Sequence, residues 1–119
     1  MARVGLPVWR ALFWGALIAV FGLALLPLAE LPPLAFSLSD EAQHALVFTA
    51  LWCLGATAYP DTRGLLAVAL LGYGGAIETA QALTPTRQAE WADWLADAIG
   101  IALGWWAMSW AVRLRQAVP

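Results

Sequence analysis

The chain has 119 residues, of which 62% are apolar and 12% are charged, and its mean hydropathy is +0.72. A soluble domain of this size cannot hide so much apolar surface, because small domains bury only part of what the unfolded chain exposes. The net charge of −2 and the lack of a long basic run exclude a nucleic-acid-binding surface. We therefore expect one membrane domain over residues 1–119, with the lipid bilayer as its main partner.

Four apolar runs follow one another, each close to the ~20 residues that cross a ~30 Å hydrocarbon core as a helix. The first run follows Arg3 and Arg10, as in a secretory signal, but it is longer than a signal core, and residues 27–29 form a poor cleavage site. Spanning strands are excluded because an open strand leaves its backbone unsatisfied in lipid. We predict an all-α, polytopic four-transmembrane-helix bundle, with helices at about 11–29, 41–59, 64–83 and 91–112.

The arginines predict the orientation of this bundle. One side of the membrane receives five of the six basic residues, Arg3, Arg10, Arg63, Arg113 and Arg115, and the other side receives Arg87. The positive-inside rule therefore places both termini in the cytoplasm. An aromatic belt is expected at both interfaces, with Trp9 and Trp110 at the inner one and Trp91 and Trp94 at the outer one.

The acidic residues gather on the non-cytoplasmic side, with Asp61 as the exception. Depth within the helices makes this asymmetry more informative. His44, Glu78 and Asp97 each lie about 6–9 Å inside the outer end of a different predicted helix. An ionisable group that faces lipid costs at least a few kcal/mol, so we expect these three side chains to converge inside the bundle.

Spacing within each helix predicts an interior polar surface above a closely packed one. The pairs 40/44 and 93/97 are four residues apart and the pair 78/81 is three apart, so each pair shares a helix face. The predicted binding residues are Asp40, His44, Glu78, Gln81, Arg87, Asp93 and Asp97, in which Asp40 orients His44 and Arg87 lies at the rim. The predicted packing residues are Gly74, Gly75, Gly100 and Gly104, the last two in a small-x-x-x-small pattern.

These residues resemble the VanZ-like family of small bacterial membrane proteins over positions 40–104. The matching pattern is Asp40-x-x-x-His44, then Tyr73-Gly74-x-x-x-Glu78-x-x-Gln81, then Arg87, then Asp93-x-x-x-Asp97-x-x-Gly100. The resemblance implies a multi-pass protein of the bacterial cytoplasmic membrane. The founding member is associated with resistance to the glycopeptide teicoplanin, so antibiotic resistance enters by analogy with that protein.

Three positions depart from the family pattern. The family often has Lys where this chain has Glu41, Tyr where it has Phe48, and Asn where it has Asp97. The additional carboxylate at Asp97 makes the cluster more negative, which favours a bound cation or a shared proton.

Three functional hypotheses follow. In the first, the outer polar pocket handles an amphiphilic envelope molecule or a glycopeptide-type antibiotic. In the second, the protein is a membrane-embedded hydrolase or transferase, with His44 or Glu78 as general base or, with Asp97, as ligands of a divalent metal. In the third, the polar cluster only holds the helices together, and the protein is a homo-oligomer or a subunit of a membrane complex. The sequence itself names no cofactor.

Overall fold

The computed structural model describes residues 5–26, 38–85 and 90–118. Within these residues the chain forms four α-helices: α1 (Leu6–Leu25), α2 (Asp40–Ala58), α3 (Arg63–Ala82) and α4 (Trp91–Ala117). The all-helical prediction is confirmed for this part of the chain. The predicted loop after α1 lies largely outside the described residues, as does Arg87.

The helix ends follow local chemistry. Ser39 caps α2, because its hydroxyl accepts a hydrogen bond from the Ala42 N–H at 3.2 Å, and Asp40 and Glu41 occupy the first turn. α1 begins five residues before the predicted boundary, with proline in its first turn, where the missing N–H costs no helix hydrogen bond. α4 continues five residues beyond the predicted end, through Arg113 and Arg115.

Side-chain contacts fix the directions of the helices. Gln81 and Tyr73 on α3 bond to Ala24 and Leu17 on α1 in the same order along both helices, so α1 and α3 run parallel. α2 runs antiparallel to α1, because Arg10 Nε donates to the Ala58 carbonyl at 3.1 Å. α2 and α4 run parallel, so their first turns lie beside the last turns of α3. We call this end of the bundle the acidic end.

Three of the four helices, α1, α3 and α4, are long and apolar enough to cross a membrane. α1 fits a lipid-facing role best, since most of its surface is exposed and Ile18 is 73% exposed. α2 has a spanning length of 19 residues but is less apolar, because its first two turns carry Asp40, Glu41, Gln43 and His44. The structure therefore supports a membrane protein with three candidate spans.

α2 is the most enclosed helix, and it packs chiefly against α4. Phe48, Leu51 and Trp52 on α2 are almost completely buried. Trp52 stacks on Trp105 of α4 with ring centroids 4.6 Å apart. Two glycines of α4 make this approach close: a Cβ at Gly104 would lie 2.8 Å from the Trp52 ring, and one at Gly100 would overlap the Ala45 carbonyl oxygen. Lipid gives helices no hydrophobic drive to associate, so this close packing is a main source of their affinity.

Gly100→Ala is expected to destabilise the bundle by about 1–3 kcal/mol, because the added methyl meets backbone that cannot rotate away. Gly75→Ala is the matched control: it is the same substitution in α3, and there the nearest atom to a new Cβ is Trp94 Nε1 at 3.8 Å, an ordinary contact. Thermal unfolding of both variants in detergent, followed by tryptophan fluorescence, measures the difference. Equal melting temperatures for the two variants would contradict the close approach of α2 and α4.

Candidate functional site

His44 lies at the centre of a polar cluster formed by α2, α3 and α4 at the acidic end. Its Nδ1 is 2.7 Å from Asp97 Oδ1, and its Nε2 is 3.7 Å from Asp93 Oδ2 and 3.9 Å from Glu78 Oε1. The structure therefore brings together four of the predicted binding residues. We refer to His44, Glu78, Asp93 and Asp97 as the His44 cluster.

Asp97 is fully buried, with 0% of its surface exposed. Two glycines explain how a carboxylate fits between tightly packed helices. A Cβ at Gly74 of α3 would overlap Asp97 Oδ2, and Gly100, one turn after Asp97, brings α4 against Ala45, the residue after His44. The close contact of α2 and α4 thus sets Asp97 level with the imidazole.

The prediction that Asp40 orients His44 is wrong. Asp40 is exposed at the first residue of α2, and the carboxylate bonded to His44 Nδ1 is that of Asp97. A spacing of four residues places Asp40 and His44 on one face, but it does not say which neighbouring helix that face meets. Because α4 runs parallel to α2 in close contact, it supplies the nearer carboxylate.

The chemistry of the pair assigns the imidazole's tautomer. An ionised carboxylate can only accept, so His44 Nδ1–H donates to Asp97, and Nε2 is directed at Glu78 and Asp93. The distances of 3.7 and 3.9 Å are too long for hydrogen bonds. In a neutral imidazole, Nε2 carries a lone pair that points at two carboxylate oxygens, and these groups repel one another. That arrangement is favourable only when a proton or another cation lies between them.

Several buried oxygens of the cluster have no hydrogen-bond partner among the described residues. They are Glu78 Oε1, Asp93 Oδ1 and Asp97 Oδ2. Glu78 is held from its other side, where Oε2 accepts from the Glu90 backbone N–H at 3.0 Å. Buried polar atoms are almost always paired in proteins, so three such oxygens around one imidazole make the cluster a candidate binding site.

The remaining predicted residues are placed differently. Gln81 points at α1 rather than His44, and its Nε2 donates to the Ala24 carbonyl at 3.0 Å. Three residues turn a helix by about 300°, so Gln81 lies about 60° around α3 from Glu78, which is enough to face another neighbour. Gly75 does not bring two helices into close contact, because a Cβ at this position would meet its nearest atom at an ordinary van der Waals distance. Arg87 lies outside the described residues.

An open groove of about 440 Å³ borders the cluster between α3 and α4. Glu78 forms part of its wall, together with Thr79, Ala82, Glu90, Trp91 and Trp94. The Trp94 ring is fixed there because its Nε1 donates to the Leu71 carbonyl at 2.9 Å. The groove therefore joins a carboxylate of the cluster to an aromatic, partly apolar surface on the outside of the bundle.

Sequence reasoning left out two exposed carboxylates near the cluster. Glu41 and Glu90, together with Asp93, offer oxygens that all lie within 4.8 Å of one another. Their position was foreseeable, because Glu41 lies in the first turn of α2 and Glu90 immediately precedes α4. Thr49 was also missed: its hydroxyl lies 2.7 Å from the Ala45 carbonyl and 3.0 Å from the Gly100 carbonyl, where it helps to tie α2 to α4.

The donor set of the cluster suits a cation. His44, Glu78 and Asp93 each offer one ligand atom, and these three atoms all lie within 4.8 Å of one another. The same groups could instead hold a proton or bind the positively charged or hydrogen-bond-donating part of a ligand. No family model, characterised protein or solved structure matches the chain.

Proposed function

We propose that the protein is a VanZ-like membrane protein of the bacterial cytoplasmic membrane whose outward-facing polar pocket handles an amphiphilic envelope molecule or a glycopeptide-type antibiotic. The observation that carries the proposal is the buried His44 cluster with its unpartnered carboxylate oxygens. Polar groups placed so deep among apolar helices are costly, so a role in binding explains them better than a role in packing alone.

The shape of the acidic end supports an amphiphilic ligand. The groove beside Glu78 is lined mainly by apolar surface and by Trp91 and Trp94. A ligand can thus lay its apolar part along α3 and α4 while its head group reaches the cluster. That head group has to donate hydrogen bonds or carry positive charge, because the site presents acceptors.

Orientation and span number are part of this proposal. In the proposed topology α2 is the fourth span, since it runs parallel to α4 and has a spanning length. The exposed Asp40 and Glu41 lie at the end of this span, and His44, one turn further in, is partly buried against α3 and α4. The arginines at the opposite end support a cytoplasmic position for both termini and an outside position for the acidic end, by the positive-inside rule.

A second candidate is a membrane-embedded hydrolase or transferase. The observation that favours it is the short His44–Asp97 contact of 2.7 Å, because an imidazole held by a buried carboxylate is the arrangement of a general base. Conversion of a lipid-linked substrate in proteoliposomes separates this candidate from binding alone. A subunit that serves only as a structural partner would need neither the groove nor the unpartnered oxygens.

Glu78→Gln is expected to abolish the function while leaving the amount of protein in the membrane unchanged, because it keeps the side chain's size and removes its charge. The measurement is the envelope-lipid and antibiotic-sensitivity profile of cells that carry the wild type, the variant or no protein. Asp61→Asn, which removes the same charge at the opposite end of the bundle, serves as the control and is expected to behave as wild type.

Two results would contradict the proposal. One is a wild-type profile for both Glu78→Gln and His44→Ala at normal abundance. The other is a topology reporter fused after Arg63 that reads outside the cell, since the acidic end would then face the cytoplasm.

A further inference from the structure

We infer that His44, Glu78 and Asp93 bind one divalent transition-metal ion, zinc by its donor preference, with Asp97 as the outer carboxylate that positions His44. This inference goes beyond the proposed function and stands without it, because a metal site can exist whatever ligand the groove accepts. The ligand atoms are His44 Nε2, Glu78 Oε1 and Asp93 Oδ2.

The orientation of His44 is the first support. Its Nδ1 lies 2.7 Å from Asp97 Oδ1, so with Asp97 ionised a neutral imidazole donates from Nδ1–H, and Nε2 is the free ring nitrogen, directed at the other two carboxylates. Histidines that ligate metals nearly always donate their second N–H to a carboxylate or carbonyl in this way, which fixes the tautomer and the ring direction. Asp97 takes that part here, and its complete burial makes the arrangement rigid.

The spacing of the ligand atoms is the second support. Ligand atoms at about 2.1 Å from a tetrahedral zinc ion lie about 3.4 Å from one another. Nε2 is 3.7 Å from Asp93 Oδ2 and 3.9 Å from Glu78 Oε1, both within about half an ångström of that spacing, and all three ligand atoms lie within 4.8 Å of one another. Direct hydrogen bonds would have drawn these atoms to about 2.7–3.2 Å.

The burial of the carboxylates is the third and independent support. Asp93 is only 3% exposed, faces His44 with one oxygen, and holds its other oxygen buried without a partner among the described residues. Glu78 Oε1 is likewise buried and unpartnered there. A cation at the site lies against Glu78 Oε1, Asp93 Oδ2 and the Nε2 lone pair, and it supplies the positive charge that these buried groups require.

The donor set selects the kind of ion. An imidazole nitrogen favours zinc and its transition-metal neighbours over magnesium and calcium, and carboxylates complete such sites. Three protein ligands leave a fourth position open, as in zinc sites that also bind water or a substrate. Glu78 also lines the groove, so the groove borders the site on the outside of the bundle.

The test is zinc binding by the tag-free, full-length protein in detergent, after treatment with a chelator, measured by competition with a fluorescent zinc indicator. We expect one ion per chain. His44→Ala, Glu78→Gln and Asp93→Asn should each weaken the affinity at least about 100-fold. Asp97→Asn should weaken it about 10–100-fold, because it acts through His44. The control Asp61→Asn should bind zinc as the wild type does.

X-ray absorption of the zinc-loaded wild type gives a second readout that needs no variant. The chain contains a single histidine, so one imidazole per zinc, with oxygen ligands, identifies His44. The inference is overturned if the wild type takes up no stoichiometric zinc, or if the spectrum shows oxygen ligands alone. It is equally overturned if His44→Ala keeps its affinity while Glu41→Gln loses it, since the ion would then lie at the exposed group of Glu41, Glu90 and Asp93.

Discussion

His44→Ala is expected to lower the free energy of unfolding by about 3–5 kcal/mol. Removing one partner of a buried pair leaves the other without compensation, and that cost exceeds the value of the pair itself. Here Asp97, which is fully buried, loses the imidazole 2.7 Å away, while Glu78 and Asp93 lose the same imidazole at 3.9 and 3.7 Å.

A double-mutant cycle isolates the pair. The loss in His44→Ala/Asp97→Ala should be smaller than the sum of the two single losses by about 1–3 kcal/mol, because the second change removes the carboxylate that the first one stranded. Unfolding in mixed detergent micelles, followed by tryptophan fluorescence, gives the four free energies.

The control cycle pairs His44 with Asp61, which follows the far end of α2 at least about 20 Å along the helix axis. The losses in the free energy of unfolding caused by His44→Ala and by Asp61→Ala should be additive to within about 0.5 kcal/mol. Additive losses for His44 and Asp97 as well would mean that their contact contributes nothing to stability.

Much of the helical framework could be predicted from the sequence. Hydropathy and turn residues place α2, α3 and the start of α4 within about one residue. The early start of α1 could not be predicted from hydropathy, because it brings the charged Arg10 into the helix, where its partners lie on the neighbouring helix α2. Arg10 donates to the Ala58 carbonyl and lies over the Tyr59 ring, 4.6 Å from its centroid.

The depth of the candidate site within the bundle could be predicted from the sequence. The carboxylate that pairs with His44 could not. Counting residues from the helix ends places His44, Glu78 and Asp97 at one depth, and the cost of burying charge in an apolar bundle predicts that they meet. Which carboxylate holds the imidazole depends on how α2 and α4 are rotated about their axes. The small-x-x-x-small pattern predicts that Gly100 packs against a neighbouring helix, but it does not predict that the contact is with Ala45 of α2, on which the rotation depends.

Gln81 illustrates the same limit on the other side of α3. Its spacing from Glu78 predicts a shared face, yet the 60° between them divides two interfaces: Glu78 meets α2 and α4, while Gln81 meets α1. Sequence periodicity distinguishes the buried face of a helix from its lipid-facing side. In a four-helix bundle, however, the buried face contacts two or three neighbouring helices. Residue contacts between helices are needed to separate them.

Trp52→Ala is expected to destabilise the bundle by about 3–5 kcal/mol, as large a loss as that of His44→Ala, through a different mechanism. Trp52 is 0% exposed, stacks on Trp105, and is met by Gly104, so its removal leaves a cavity where α2 and α4 touch. In lipid the loss comes from missing packing contacts rather than from exposure to water.

Trp52→Phe and Trp106→Ala make the prediction specific. The Trp52 indole N–H is buried without a hydrogen-bond partner among the described residues, so Trp52→Phe loses volume but no hydrogen bond and should cost less than half as much as Trp52→Ala. Trp106→Ala removes the same side chain from a position that is 62% exposed and should change stability by less than about 1 kcal/mol. Equal losses for Trp52→Ala and Trp106→Ala in the same unfolding assay would show that packing between α2 and α4 does not hold the bundle together.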